Sequence, residues 1–419
     1  MEAQFSTLGA LIGLVIAIIL IIRKVQPAYC LIFGALIGGI IGSFDLNLTV
    51  STMVSGAASM MSSILRILTS GILAGALIKT GSAQKIAETI VDRLGDKRAV
   101  FAIAAATMII CAVGVFIDIS VITVAPIALA IAEKAGLSRS GILLAMIGGG
   151  KAGNIISPNP NTIAVSEAFE LDLTAVMMRN LLPAAGALCM AVILAGILAK
   201  KGDQITSADL EESEEQALPS FPAAILGPAC VILLLALRPL TGITIDPLIA
   251  LPVGGILCIL VTGHVKDLIP YTEFGLSKVV GVSILLIGTG TIAGIIKASA
   301  LQTDVIHLLA AMHMPAFILA PLSGILMAGA TASTTAGATV AAQTFAPALL
   351  EAGVPALAAA AMIHAGATVI DSLPHGSFFH ATGGSVNMTI AERMKLIPYE
   401  ALIGLTSTVI SILFYLIAG

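Results

Sequence analysis

Apolar stretches succeed one another along the whole chain, at 6–22, 28–43, 53–78, 99–132, 141–150, 174–199, 223–237, 247–263, 279–297, 305–328, 335–350, 354–370 and 396–418. A helix needs about 20 apolar residues to cross a ~30 Å hydrocarbon layer. Several of these stretches are shorter, and others are interrupted by Gly and Pro, which is how half-helices and re-entrant hairpins read in a sequence. The pattern predicts an all-α polytopic membrane protein with broken helices. One segment differs. In Lys79–Arg98 (KTGSAQKIAETIVDRLGDKR), Ile86, Ile90, Val91 and Leu94 fall near a helical stripe among charged residues. It is expected along the cytoplasmic membrane surface, with a solvated connecting helix as the plainer reading of nearly the same position.

Composition agrees with a lipid environment. Of 419 residues 58% are apolar and 11% charged, too much apolar surface for one soluble core. The 41 glycines suit close helix packing in lipid. Tryptophan is absent and there are four tyrosines, so the aromatic belts are thin. Cys30, Cys111, Cys189, Cys230 and Cys258 stand singly, without metal or redox spacing, and read as packing residues. A formal net charge of −4 with no basic run gives no reason to expect a nucleic acid. The run Phe5–Ile22 is followed, not preceded, by its positive residues Arg23 and Lys24. It reads as a retained first span ending on the cytoplasmic side, not a secretory signal.

The most polar stretch, 200–220 with its LEESEEQ, reads as a linker between halves of similar length. AMIGGGKAGNIISP (145–158) matches AMIHAGATVIDSLP (361–374) at an offset of 216, with five identities in fourteen. Ile78-Lys79 with Ile296-Lys297, Ala125-Pro126 with Ala346-Pro347, and Met178-Arg179 and Pro183 with Met394-Lys395 and Pro398 keep the same order at offsets of 215 to 221. Order and spacing together imply duplication. The expected plan is a first transmembrane helix (1–24), a repeat over 25–199 broken around 148–162, a polar linker (200–222), and a second repeat over 223–419 broken around 329–339 and 364–380. An odd number of spans per repeat would invert the second copy.

Polar residues inside apolar segments are the functional default, because each costs free energy unless satisfied. GGGKAGNIISPNPNT (148–162) offers Lys151, Asn154, Ser157, Asn159, Asn161 and Thr162 around Pro158 and Pro160. Two prolines there interrupt a helix, freeing backbone N–H groups that attract anions and carbonyls that hold cations. Asn-Pro-Asn is equally good chemistry for an ordinary loop. HAGATVIDSLPHGSFFH (364–380) offers His364, Asp371, Ser372, His375, Ser377 and His380. Asp371 and the histidines are candidate proton carriers, and the plainer reading puts His375 and His380 in a wet loop. Asp118 lies alone in CAVGVFIDISVITVAP and must be protonated, paired or facing water. GATASTTAGAT (329–339), with Ser333, Thr334 and Thr335, suits a pocket lining or helix packing equally. HExxH, Walker-type and cofactor motifs are absent, so neither an enzyme nor an ATP-driven pump is expected.

Three patches resemble the gluconate permease family of proton symporters, within the broader ion-transporter superfamily. FIDISVITVAPIALAIAEKAGLS (116–138) is similar to a family segment that carries Glu where Asp118 stands. IISPNPNTIA (155–164) resembles its Pro-Pro-His-Pro-Gly-Pro loop, with Asn159 for the His and Asn161-Thr162 for the Gly-Pro. SFFHATGGSVNMTIAERMKLIPYEALIGLTSTVISILF (377–414) resembles its C-terminal stretch, while the preceding His-Val-Asn-Asp-Ser of the family reads Ser372-Leu373-Pro374-His375-Gly376. These differences lie where selectivity is expected, so gluconate, another hydroxy acid and another small carboxylate all stay open. The Ser-Pro-Asn-Pro-Asn-Thr string also looks like the hairpin tips of sodium-coupled dicarboxylate carriers, which keeps sodium coupling open beside proton coupling.

The resemblance implies inverted repeats with re-entrant hairpins, a homodimer, and a transport domain sliding against a scaffold in a bacterial inner membrane. On this reading the substrate, a small organic anion, meets Asn154, Ser157, Asn159, Asn161, Thr162, Ser333, Thr334, Thr335, Ser372, His375 and Ser377. Asp118, Asp371, Lys151 and His364 are the candidates for coupling. No metal site and no cofactor are expected beyond the coupling ion, and a solute channel is the remaining alternative.

Overall fold

The computed structural model describes residues 4–95, 98–205, 217–311 and 314–418. The LEESEEQ part of the expected linker lies outside them. Among the described residues all regular structure is helical, apart from two isolated bridges, Phe5 with Ser299 and Ser138 with Gln204. The first eleven helices are α1 (Thr7–Ile22), α2 (Pro27–Ser43), α3 (Leu46–Ala58), α4 (Met61–Lys79), α5 (Ser82–Leu94), α6 (Ala99–Ala112), α7 (Ile117–Ala135), α8 (Arg139–Asn154), α9 (Pro160–Ala168), α10 (Leu173–Arg179) and α11 (Leu181–Leu198). There follow α12 (Phe221–Thr241), α13 (Pro247–Val261), α14 (Leu268–Lys297), α15 (Leu301–Ala311), α16 (Leu319–Thr331), α17 (Thr334–Glu351), α18 (Ala356–Gly366), α19 (Ser377–Gly384), α20 (Ile390–Met394) and α21 (Ile397–Ala418).

Apolar continuity joined what the backbone separates. The stretch 53–78 crosses the α3–α4 junction, 99–132 holds both α6 and α7, and 305–328 runs from α15 into α16. The break in 99–132 falls at Gly114, whose φ of 111° is open to glycine and costly for other residues. The charged segment expected at the surface forms α5. Its Ile86, Ala87 and Val91 are buried, and it packs on α6, α12 and α4. Four described helical stretches are long and apolar enough to cross a bilayer: 61–79, 181–198, 265–297 and 390–417. Helices α1, α2, α6, α13 and α18 are apolar but shorter.

The helices form two bundles. In one, α1 packs on α2, α12 on α13, and the long α14 runs against α2, α3 and α4. Glycines set the separations. A Cβ on Gly9 would lie 2.4 Å from Gly42 Cα, and one on Gly13 2.4 Å from the Gly34 carbonyl oxygen. This is the close approach that small residues at a spacing of four permit. In the other bundle α8 is central, buried along Gly141–Asn154, against α6, α7, α11 and α21. There α16, α17 and α18 pack on one another, and α9 packs on α17. The bundles meet where α14 touches α17 and α4 touches α9.

Element order in the second bundle runs twice. Helices α6 and α16 each stop at a break before α7 and α17, which carry Pro126 and Pro347 inside them. Helices α8 and α18 each run into an irregular stretch before the short α9 and α19. The still shorter α10 and α20 follow, and then the long α11 and α21.

Candidate functional site

The helix breaks converge on one cavity of about 450 Å³. Five helix N-termini open on it: α2 at Gln26 and Pro27, α7 from Phe116 to Ile119, α9 at Asn161, α17 from Ser333 to Ala336, and α19 at Gly376 to Phe378. Asn154, Asn161, Thr334 and Asp371 form its buried floor, and Lys278 and Ser377 its exposed mouth.

The sequence makes the first break locally. Asn159 is the N-cap of α9, accepting at Oδ1 from the backbone N–H groups of Asn161 (3.0 Å) and Thr162 (3.1 Å), with Pro160 at the first helical position. Asn at the N-cap and Pro just inside are the residues a helix start prefers. Thus the Asn-Pro-Asn string starts a helix in the interior and is not an outside loop. Asn159 Nδ2 donates to Asn154 Oδ1 (2.6 Å) and to the Asn154 carbonyl oxygen (3.0 Å), and Asn161 Nδ2 donates to the same Oδ1 (2.9 Å). With its amide oxygen doubly occupied, Asn154 presents Nδ2, a buried donor with no protein partner, on the cavity wall. An amide's orientation is assigned from its network, and this network admits one.

The second break is tied to the first. Lys151 Nζ donates to Asp371 Oδ1 and to the Thr368 carbonyl oxygen, each at 2.5 Å, and Thr334 Oγ1 donates to Asp371 Oδ2 at 2.5 Å. Lys151 and Asp371 are each 1% exposed. The ring nitrogen Nε2 of His375 lies 3.2 Å from the Ala330 carbonyl oxygen. A Cβ on Gly376 would come within 2.4 Å of the Ala332 carbonyl oxygen, so the α16–α17 and α18–α19 breaks are in backbone contact. Ala332 itself is left-handed, with φ 46°, and next to it the Ser333 hydroxyl caps α17 by accepting from Ala336 N–H at 3.3 Å.

Of the residues singled out in the sequence, the cavity gathers Asn154, Asn161, Ser333, Thr334, Thr335, His375, Ser377, Asp118 and Asp371. Four lie behind its wall: Asn159 and Thr162 as cap and capped residue, Lys151 through Asp371, and Ser372, whose Oγ accepts from Arg393 Nη2 at 3.4 Å. Ser157 is buried with its hydroxyl unpartnered, away from the lining. His364 is wholly buried in α18, off the cavity, with neither ring nitrogen hydrogen-bonded. His380 is exposed, 2.8 Å from the Pro374 carbonyl oxygen.

Sequence reasoning missed Lys278, Gln26 and the Arg393–Glu400 pair. Lys278 precedes the apolar stretch 279–297 and reads as the charged end of a span, yet α14 runs for 30 residues and places it well inside. The mid-helix cation was the available signal. Arg393 and Glu400 form an ion pair in which each is 1% exposed, and Arg393 also donates to Ser372 and Thr382 (3.3 Å). It thereby braces the break that carries Asp371.

Formal charges around the cavity cancel: Lys151 and Lys278 against Asp118 and Asp371. What remains is the positive end of five helices and the free Asn154 amide, a setting that favours an anion.

The sequence model of the GntP family permeases matches residues 5–250, more than half of the chain. The chain belongs to the GntP permease family. This GntP-family permease is 54% identical over 410 residues to an uncharacterized transporter of Haemophilus influenzae, covering 98% of each chain. It is 24% identical to the D-serine transporter DsdX of Escherichia coli K12, over 81% of this chain and 82% of that one. A gluconate permease of Pseudomonas aeruginosa is 26% identical over 55% of this chain and 54% of its own. Among solved structures, the YdaH transporter of Alcanivorax borkumensis superimposes with a TM-score of 0.68 at 15% identity, covering 90% of each chain, which extends the likeness to the fold. The family and these relatives make the protein a multi-pass membrane transporter and not an enzyme.

Proposed function

We propose that the permease is a secondary active transporter of a small hydroxycarboxylate, with gluconate as the type substrate and protons as the coupling ion. The observation that carries this reading is the ring of five helix N-termini and the unpartnered Asn154 amide around one cavity. The substrate carboxylate takes the N–H groups at the start of α19, which no side chain caps, and Asn154. Its hydroxyls meet Ser333, Thr334, Thr335, His375 and Ser377. Asp118, which reaches the same space, takes the coupling proton. The gluconate permease and DsdX likenesses support a substrate with a carboxylate beside a hydroxyl.

One observation favours a second substrate. Asp118 and Lys278 give the wall one group of each sign, so a zwitterionic hydroxy amino acid such as D-serine belongs in the same panel.

The doubled order of elements supports duplication of 25–199 in 223–419. We read the copies as inverted, their irregular stretches as re-entrant hairpins, and the second bundle as the part that moves against the first, in a homodimer in the bacterial inner membrane. Paired breaks on one cavity support alternating access over a continuous pore.

The test is counterflow and uptake in proteoliposomes, with pH and sodium gradients imposed separately, against gluconate, other hydroxy acids and D-serine. Saturable counterflow of a hydroxycarboxylate, together with uptake driven by a proton gradient, is expected. Downhill flux without exchange, or no response to any member of the panel, refutes the reading.

A further inference from the structure

Lys151 leaves the last turn of α8, and its ammonium reaches two oxygens in the break after α18: the Thr368 carbonyl and Asp371 Oδ1. Thr334 Oγ1, from the α17 N-terminus, donates to the other carboxylate oxygen, Oδ2. Without the ammonium, its place is faced by a backbone carbonyl freed as a helix unwinds and by a carboxylate whose other oxygen is held by a hydroxyl. Hard cations are bound by such oxygen sets. The cluster sits at the C-terminal ends of α8 and α18, which carry partial negative charge. A carboxylate buried there must be paired, because an uncompensated charge costs several kcal/mol. The lysine occurs once: at the matched position of the other copy, 216 residues on, stands Ala367.

We propose that the Lys151 ammonium is a resident cation, occupying an oxygen site that would otherwise take a sodium ion, so the cavity floor is charge-complete without a metal ion. Tethering removes the entropic cost of capturing a free ion. The consequence for coupling rests on the transport reading above: sodium has no vacancy to fill at Asp371, and the coupling cation must enter elsewhere, at Asp118. The oxygen site itself does not depend on that reading.

The experiment compares thermal unfolding of the purified full-length protein in sodium chloride and in choline chloride of equal ionic strength. The wild type is expected to melt at one temperature in both. Lys151→Ala, which opens the oxygens, is expected to melt lower in choline and to recover by several degrees with sodium. Lys151→Ala/Asp371→Asn, lacking the carboxylate, is expected to show no recovery. A folded Lys151→Ala indifferent to sodium, or one whose recovery survives Asp371→Asn, overturns the proposal. Lys151→Gln, which keeps most of the stem and drops the charge, is read in the same two salts if Lys151→Ala aggregates; it is expected to recover with sodium in the same way, and indifference overturns the proposal. No substrate enters the measurement, so a failed gluconate assay refutes the transport reading without touching this one.

Discussion

Two side chains occupy Asn154 Oδ1, and its nitrogen stays without a protein partner in a residue of the cavity wall. A hydrogen bond to a charged group is worth about 1.5–3 kcal/mol, so Asn154→Ala should weaken carboxylate binding roughly 10–100-fold. Competition of gluconate in counterflow measures this, and thermal unfolding checks that the fold survives. Asn159→Ala removes a cap worth about 1 kcal/mol and also frees the Asn154 amide to turn. Its binding loss should equal or exceed that of Asn154→Ala, by the same assay. Asp118→Asn should abolish the pH dependence of uptake while leaving substrate exchange intact; uptake still following the proton gradient would remove Asp118 from the coupling role. These residues were legible because each is polar inside an apolar run. His364 met the same criterion and sits off the cavity, because one sequence does not say which face of α18 looks inward. Gln26 escaped because nothing in the sequence brings the start of α2 beside α7 and α17.

At the level of elements, the breaks hold their shape through caps and braces. Asn159 and Ser333 cap α9 and α17, whereas Gly376 at the start of α19 has no side chain to do so. The Arg393 brace from α20 serves the second break instead. Removing one partner of a buried pair costs about 3–5 kcal/mol, and replacing both with apolar residues far less. Glu400→Met should therefore lower the melting temperature more than Arg393→Met/Glu400→Met. Ser372 keeps its Arg393 donor in Glu400→Met and loses it in the double variant, so substrate binding should fall further in the double variant although that one is the more stable. The brace was invisible beforehand because Arg393 lies in the charged run before the apolar stretch 396–418 and Glu400 inside that stretch, and nothing in the sequence pairs them. The breaks at 155–159 and 367–376 were legible from Pro and from polar residues. That between α6 and α7 was not, since the single Gly114 that makes it lies in unbroken apolar sequence.

On the scale of the molecule, one side chain spans the two bundles. Arg66 of α4 binds Asp246, at the start of α13, through Nε (2.9 Å) and Nη2 (2.6 Å), and pairs with Glu167 of α9 in the other bundle. Relative motion of the bundles must break the Arg66–Glu167 contact. Glu167→Gln should then shift the distribution of states, read as changed labelling of single cysteines placed on either side of the cavity. The Arg66 guanidinium beside Asp246 holds its carboxyl below the usual range. A depressed acid contributes stability above its unfolded pKa and loses it as pH falls through the folded one. This tie should thus be complete at neutral pH and open only below the ordinary carboxylate range, visible as an acid-side fall in melting temperature that Asp246→Asn removes. The division expected at the linker does not foretell the partition into bundles, because each bundle draws helices from both sides of it.

None of the residues lining the cavity is an arginine. On the proposed reading its grip on an anion would come from backbone dipoles, one amide and hydroxyls, with a single lysine at the mouth. Affinity and residence time go together when association rates are similar. A carrier that seized its cargo with a guanidinium fork would hold it through many cycles' worth of time. A neutral cradle sets an upper limit on affinity, and so a lower limit on how quickly the far side can be reached empty-handed for the return.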